Sequence, residues 1–233
     1  MATEAEAVVR DRRWAQWAPV SGIVFVVLFV VGFFVLNLPD SDDPLTKIQS
    51  FYDDGGNRAQ IIIAGYLLTL SAVFFFWFLS SLRARLLAAE GQPGRLTSIT
   101  FGSGLVFAAL LLAAVGCFIF IAGEITFGDV DNISPEIERT IPDLGFPFLL
   151  IGGAFAAIAM VDAASVLIIR TCVLPKWIGW FGFVAAVGLL FAGFFLPIVL
   201  LLLWIVFVSV ALLRSSGIDM VEPHPAPATT PGL

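Results

Sequence analysis

One carboxylate stands alone in apolar sequence. Asp162 lies inside an uncharged run that extends from Asp143 to Arg170. It precedes Arg170 by eight residues, or about 12 Å along a helix. A carboxylate at that depth in a bilayer costs on the order of 2.5–3.5 kcal/mol on insertion scales, and such groups usually turn inward and find a partner. Counting equal depth along the other apolar runs puts Ser21, Ser103 and Ser209 level with it. Ser165 follows on the next turn of the same run. Two readings are open. These five side chains form a proton or cation site in a transport path, or they form a helix-packing hydrogen bond worth roughly 0.6–2 kcal/mol.

Other chemistries lack their residues. The only histidine is His224, close to the C-terminus. That excludes a bis-histidine haem within a membrane and a histidine-based zinc site on a helix, and it argues against a serine–histidine dyad. No lysine falls within an apolar run, so no retinal Schiff base can form. A phosphate-binding loop is absent, and Asp162 lacks the second aspartate of intramembrane aspartyl chemistry. Phe101-Gly102-Ser103-Gly104 has Phe101 where a serine-hydrolase turn needs glycine. Asp129-Val130-Asp131-Asn132 opens like a calcium loop but lacks the later Gly and Glu ligand positions. The chain is therefore read as non-enzymatic, with no cofactor, no metal and no nucleic-acid partner.

The elements that must position Asp162 follow from where charge is missing. Only 13% of the 233 residues are charged and 59% are hydrophobic, against about 25% charged in soluble proteins. Mean hydropathy is +0.99. Five uncharged stretches are bracketed by Arg13 and Asp40, Arg58 and Arg83, Arg95 and Glu124, Asp143 and Arg170, and Lys176 and Arg214. About 20 helical residues cross the roughly 30 Å hydrocarbon core, so four stretches fit one crossing each. The fifth, 177–213, would make a rod of about 55 Å, and Pro197 is the natural break. The sequence thus predicts an all-α polytopic bundle of six transmembrane helices. They lie near 18–38, 60–82, 98–122, 145–169, 177–194 and 198–213. Residues 1–17 form a cytoplasmic N-terminal segment, 18–214 the membrane domain, and 215–233 a Pro-rich cytoplasmic tail read as disordered.

Charge gives the orientation. Nine of the 12 basic residues fall at the chain ends or in gaps two and four. Only Lys47, Arg58 and Arg139 lie on the side where most acids gather. By the positive-inside rule both termini are cytoplasmic in a bacterial-type inner membrane, and the acidic loops face outward. The first stretch reads as a permanent span, because it is too long for the apolar region of a cleavable signal peptide and no small-residue cleavage site follows Leu38. Cys117 and Cys172 fall near opposite membrane faces, so no disulfide is expected between them. Trp14, Trp17, Trp77, Trp177 and Trp180 form an inner interfacial belt, while Trp204 is mid-helix.

Each outer loop carries a helix-start signal. Asp43-Pro44 predicts an N-cap and first helical position, with Leu45, Ile48 and Tyr52 on one face and Asp53-Asp54-Gly55-Gly56 as the stop. Ser134-Pro135 opens a second short amphipathic helix that Pro142 ends. The two loop-bearing halves form a faint internal repeat. Gly152, Gly153, Ala156, Ala157, Ala163 and Ala164 let helices approach closely, within one bundle or across a dimer.

Several stretches together resemble a family. They are Trp14-Ala15, the Pro44 helix with Phe51-Tyr52, Phe78-Leu79 running to Leu82-Arg83, and Glu90-Gly91 through Gly94-Arg95-Leu96. Over about residues 14–214 the chain resembles uncharacterised bacterial multi-pass membrane proteins grouped as a domain of unknown function. The resemblance implies the architecture and brings no activity or site residue. The function expected is an accessory or scaffold subunit of a membrane assembly. Its partners are the lipid bilayer and another membrane protein or a second copy. The alternative is a small transporter or channel for a proton-coupled or lipid-like substrate, using Asp162.

Overall fold

The computed structural model describes residues 19–40, 42–128, 133–191 and 196–218. The expected N-terminal segment, the 129–132 calcium-like loop and the part of the expected 215–233 tail after Ile218 lie outside these residues, while residues 215–218 of that tail are helical and continue the last helix. Among the described residues there is no strand. The helices are α1 (Val20–Val35), α2 (Leu45–Asp53), α3 (Gly55–Glu90), α4 (Arg95–Phe127), α5 (Pro135–Phe146), α6 (Ala154–Thr171), α7 (Lys176–Leu189) and α8 (Leu196–Ile218). A π-helical segment, Pro147–Gly153, joins α5 to α6.

Four helical rods are long and apolar enough to cross a membrane: Gly55–Glu90, Arg95–Phe127, Pro135–Thr171 and Ile198–Ser215. α1 and α7 are apolar but shorter than the expected 18–38 and 177–194. At 1.5 Å per residue they are about 24 and 21 Å long. The outer surface is that of a membrane protein. Phe34 is 85% exposed and Phe155 61%, with Ile63, Tyr66, Val184 and Phe191 also standing outside. Water would not tolerate so continuous an apolar surface.

Six of the helices close a ring. α1 packs on α3, α3 on α4, α4 on α6, α6 on α7, α7 on α8, and α8 returns to α1. α3 and α6 also touch across the ring. Aromatic side chains fill the centre. Phe75 of α3 lies 5.0 Å from the Phe25 ring of α1 and 5.2 Å from the Phe107 ring of α4. Such tilted and edge-on pairs favour the ring quadrupoles beyond simple burial.

Turns follow local chemistry. Glu90 accepts hydrogen bonds from the Leu96 and Thr97 amides at 2.9 and 2.8 Å and from Thr97 Oγ1 at 2.7 Å. It thereby satisfies donors at the start of α4 that the helix leaves free. Gly94 in this turn has φ +63°, and an added Cβ would meet Leu87 at 2.6 Å. α8 begins at Leu196, so Pro197 sits in its first turn, where its missing N–H costs nothing.

Two expectations at the loops that carry α2 and α5 are corrected. Pro44, not Asp43, is the N-cap of α2, and its carbonyl accepts from the Lys47 and Ile48 amides. Asp43 is engaged elsewhere, in an ion pair with Lys47 at 2.8 Å. Pro142 does not end the second outer helix but lies within α5. Its ring denies the Glu138 carbonyl a helical donor. The chain nevertheless continues through Pro147 into the wider π segment and on to Thr171, a local rewinding of the kind helices use to absorb irregularity.

Candidate functional site

Asp162 sits nearly opposite the buried stripe of α6. Ala157, Met160, Val161, Ala164 and Ile168 face the bundle. With 3.6 residues per turn, Asp162 shares the other face with exposed Phe155 and half-buried Val166 and Ile169. It is half-buried and has no hydrogen-bond or ion-pair partner among the described residues.

The four hydroxyls distribute over different seams. Ser165 is fully buried at the junction of α6, α7 and α8. A Cβ placed on Gly182 of α7 would lie 2.0 Å from Ser165 Oγ, 2.8 Å from Trp204 Nε1 and 3.2 Å from Val161 Cγ1. Ser209 is fully buried between α8 and α1, with its Oγ 2.1 Å from the corresponding point on Gly22. Ser21 is buried beside Gly22, and Ser103 is half-buried on α4. Asp162 hydrogen-bonds none of them. Instead, Ser165 Oγ, Ser209 Oγ and the fully buried Trp204 Nε1 lack hydrogen-bond partners among the described residues. Trp204 is the member that depth counting leaves out, since an indole reads first as apolar bulk.

A second polar cluster caps the end of the bundle that carries α2 and α5. α2 and α5 pack on one another over the ends of α3 and α4. Ile48 and Tyr52 are buried there with Ile61, Ile121 and Ala122. Glu138 is only 6% exposed, and its Oε2 and the Tyr52 hydroxyl have no hydrogen-bond partner among the described residues. Burial, then the carboxylates of Glu138 and Asp143, push the Tyr52 hydroxyl well above its usual range. Arg58 ties the cap down by donating to the Tyr52 and Asp53 carbonyls, and Gln60 donates to the Val35 carbonyl at 2.9 Å. Glu138 is legible in hindsight, because Glu138, Pro142 and Gly145 recur at helical spacing and make the buried face of α5.

Among the described residues, no group of three or more His, Cys, Asp or Glu side chains is arranged to hold a metal ion. Cys117 and Cys172 are free. No family model, curated protein or solved structure matches this chain. The functional reading therefore rests on its own residues.

Proposed function

We propose that the protein is a non-enzymatic accessory subunit that crosses a bacterial-type cytoplasmic membrane six times, both ends inside, and docks a different membrane protein on α6. The observation that carries this reading is the outward position of Asp162. A carboxylate turned toward lipid without a partner is costly, and a helix bringing a hydroxyl, amide or basic side chain relieves that cost. A second copy docked two-fold on the same face would oppose Asp162 to Asp162, and two carboxylates sharing a site cannot both stay ionised. A heterologous partner suits the charge better. The transport alternative has less support, because Phe25, Phe75, Phe78 and Phe107 fill the centre between α1, α3 and α4 and Asp162 faces away from it.

The test uses a photo-cross-linking residue at Val166, on the Asp162 face, and at Val184 on α7. A defined partner is expected from the first position only, and Asp162→Asn abolishes its capture. The substituted protein keeps its stability to within about 0.5 kcal/mol, as for a surface change. Equal capture by Asp162→Asn would overturn the reading.

A further inference from the structure

The inner end of the bundle holds an open groove of about 550 Å3, within the range of small-molecule sites. One wall is the α6–α7 turn with the start of α7, through Leu174, Pro175 and Trp177. The other is a stripe of α8 that includes Phe207, Ala211 and Arg214. Its floor is aromatic: the Trp177 and Phe207 rings meet edge-on at 5.1 Å, and Phe181 meets Phe207 at 5.2 Å.

The polarity of this groove is one-ended. Apolar walls run from Val206 to Ala211, and the polar residues of the lining, Arg214 and Ser215, sit together at the mouth. The Ser215 hydroxyl is used internally, donating to the Leu212 carbonyl at 3.0 Å. Arg214 is exposed and has no hydrogen bond or ion pair among the described residues. Arg170 and Lys176, exposed at either end of the α6–α7 turn, add positive charge to the same end. From Arg214 to Val206 the groove penetrates about 12 Å along α8.

We propose that the groove seats one acyl chain of an anionic phospholipid, with its phosphate on Arg214. Charge complementarity selects the headgroup, since guanidinium binds phosphate with paired, charge-assisted hydrogen bonds. The depth selects a lipid over the chain's own tail. Residues after Ile218 include Pro223, Pro225 and Pro227, and each proline denies a helix one backbone hydrogen bond. A non-helical peptide in that apolar depth would leave its backbone groups unsatisfied in hydrocarbon. The inference rests on membrane insertion and is independent of docking at Asp162.

The experiment uses the full chain in mild detergent. It is offered phosphatidylglycerol or phosphatidylcholine with identical acyl chains, and native mass spectrometry counts the lipids retained. One phosphatidylglycerol is expected to be held about tenfold more tightly than phosphatidylcholine, the scale of one charge-assisted contact. Arg214→Gln erases that preference, and Arg214→Lys keeps part of it. Ala211→Phe, which fills the groove, lowers retention of both lipids. No headgroup preference, or a preference that survives Arg214→Gln, overturns the proposal. So does a chain ending at Ile218 that retains more lipid, because the tail would then be the occupant.

Discussion

Gly182→Ala tests the tightest junction of the bundle. The new methyl carbon would fall 2.0 Å from Ser165 Oγ, 2.8 Å from Trp204 Nε1 and 3.2 Å from Val161 Cγ1. Ser165 can swing its hydroxyl aside by changing rotamer. Trp204, fully buried, cannot move without displacing α8. Overpacking of this kind costs about 1–3 kcal/mol, while alanine in place of glycine within a helix returns about 1 kcal/mol. The net expectation is a loss of about 1 kcal/mol, read as reduced resistance to thermal or SDS unfolding in mild detergent. Ser165→Ala alone should change stability by less than about 0.5 kcal/mol, because Ser165 Oγ has no bond to lose. Combined with Gly182→Ala, it should recover at least about 0.5 kcal/mol as a coupling between contacting sites. A Gly182→Ala protein as stable as the parent would refute the close approach of α7 to α6 and α8. A double variant no better than the single one would refute Ser165 as the obstructing group.

Four further outcomes are expected. Tyr52→Phe removes a buried hydroxyl without a partner and should stabilise the α2–α5 cap by up to about 1 kcal/mol. The Tyr52 pKa is raised on folding above its ordinary 10.0, so its stability contribution is intact below pH 10 and lost as pH rises beyond it; unfolding profiles should show that alkaline loss in the parent and not in Tyr52→Phe. Cys172 closes α6 in the left-handed region at φ 55°, where a residue with Cβ pays about 1 kcal/mol. Cys172→Gly should raise stability by roughly that amount in the same unfolding assay. In intact cells the exposed Cys172 thiol should resist an impermeant maleimide until the membrane is opened, and labelling before opening would reverse the proposed orientation.

That long apolar helices exist was legible because charge is expensive in hydrocarbon, but their ends were not, since the rods run past the bracketing charges: Arg58 and Arg83 lie within α3 and Glu124 within α4. Pro197 was legible because its ring forbids mid-helix placement but suits a first turn. Depth alone leaves the direction of Asp162 open. Depth comes from counting residues, whereas azimuth comes from periodicity, and Ala157, Val161, Ala164 and Ile168 already trace the stripe that places Asp162 on the other side. The continuation past Pro142 was not legible. A proline rule treats each helix alone, and here the packing of Glu138, Pro142 and Gly145 against neighbouring elements holds the rod together. Gly145 is part of that packing, since its Cβ position lies 2.3 Å from the Phe118 ring.

The return of α8 to α1 has a consequence for biosynthesis. The seam where Ser209 meets Gly22 joins residues almost 190 positions apart, so it forms only after α8 has emerged and inserted. Until then the nascent chain carries an open flank beside Gly22, and a product cut short before α8 keeps that flank for good. The last seam to close thus separates a chain that has inserted α8 from a fragment that lacks it, by whether the flank beside Gly22 is covered or left open.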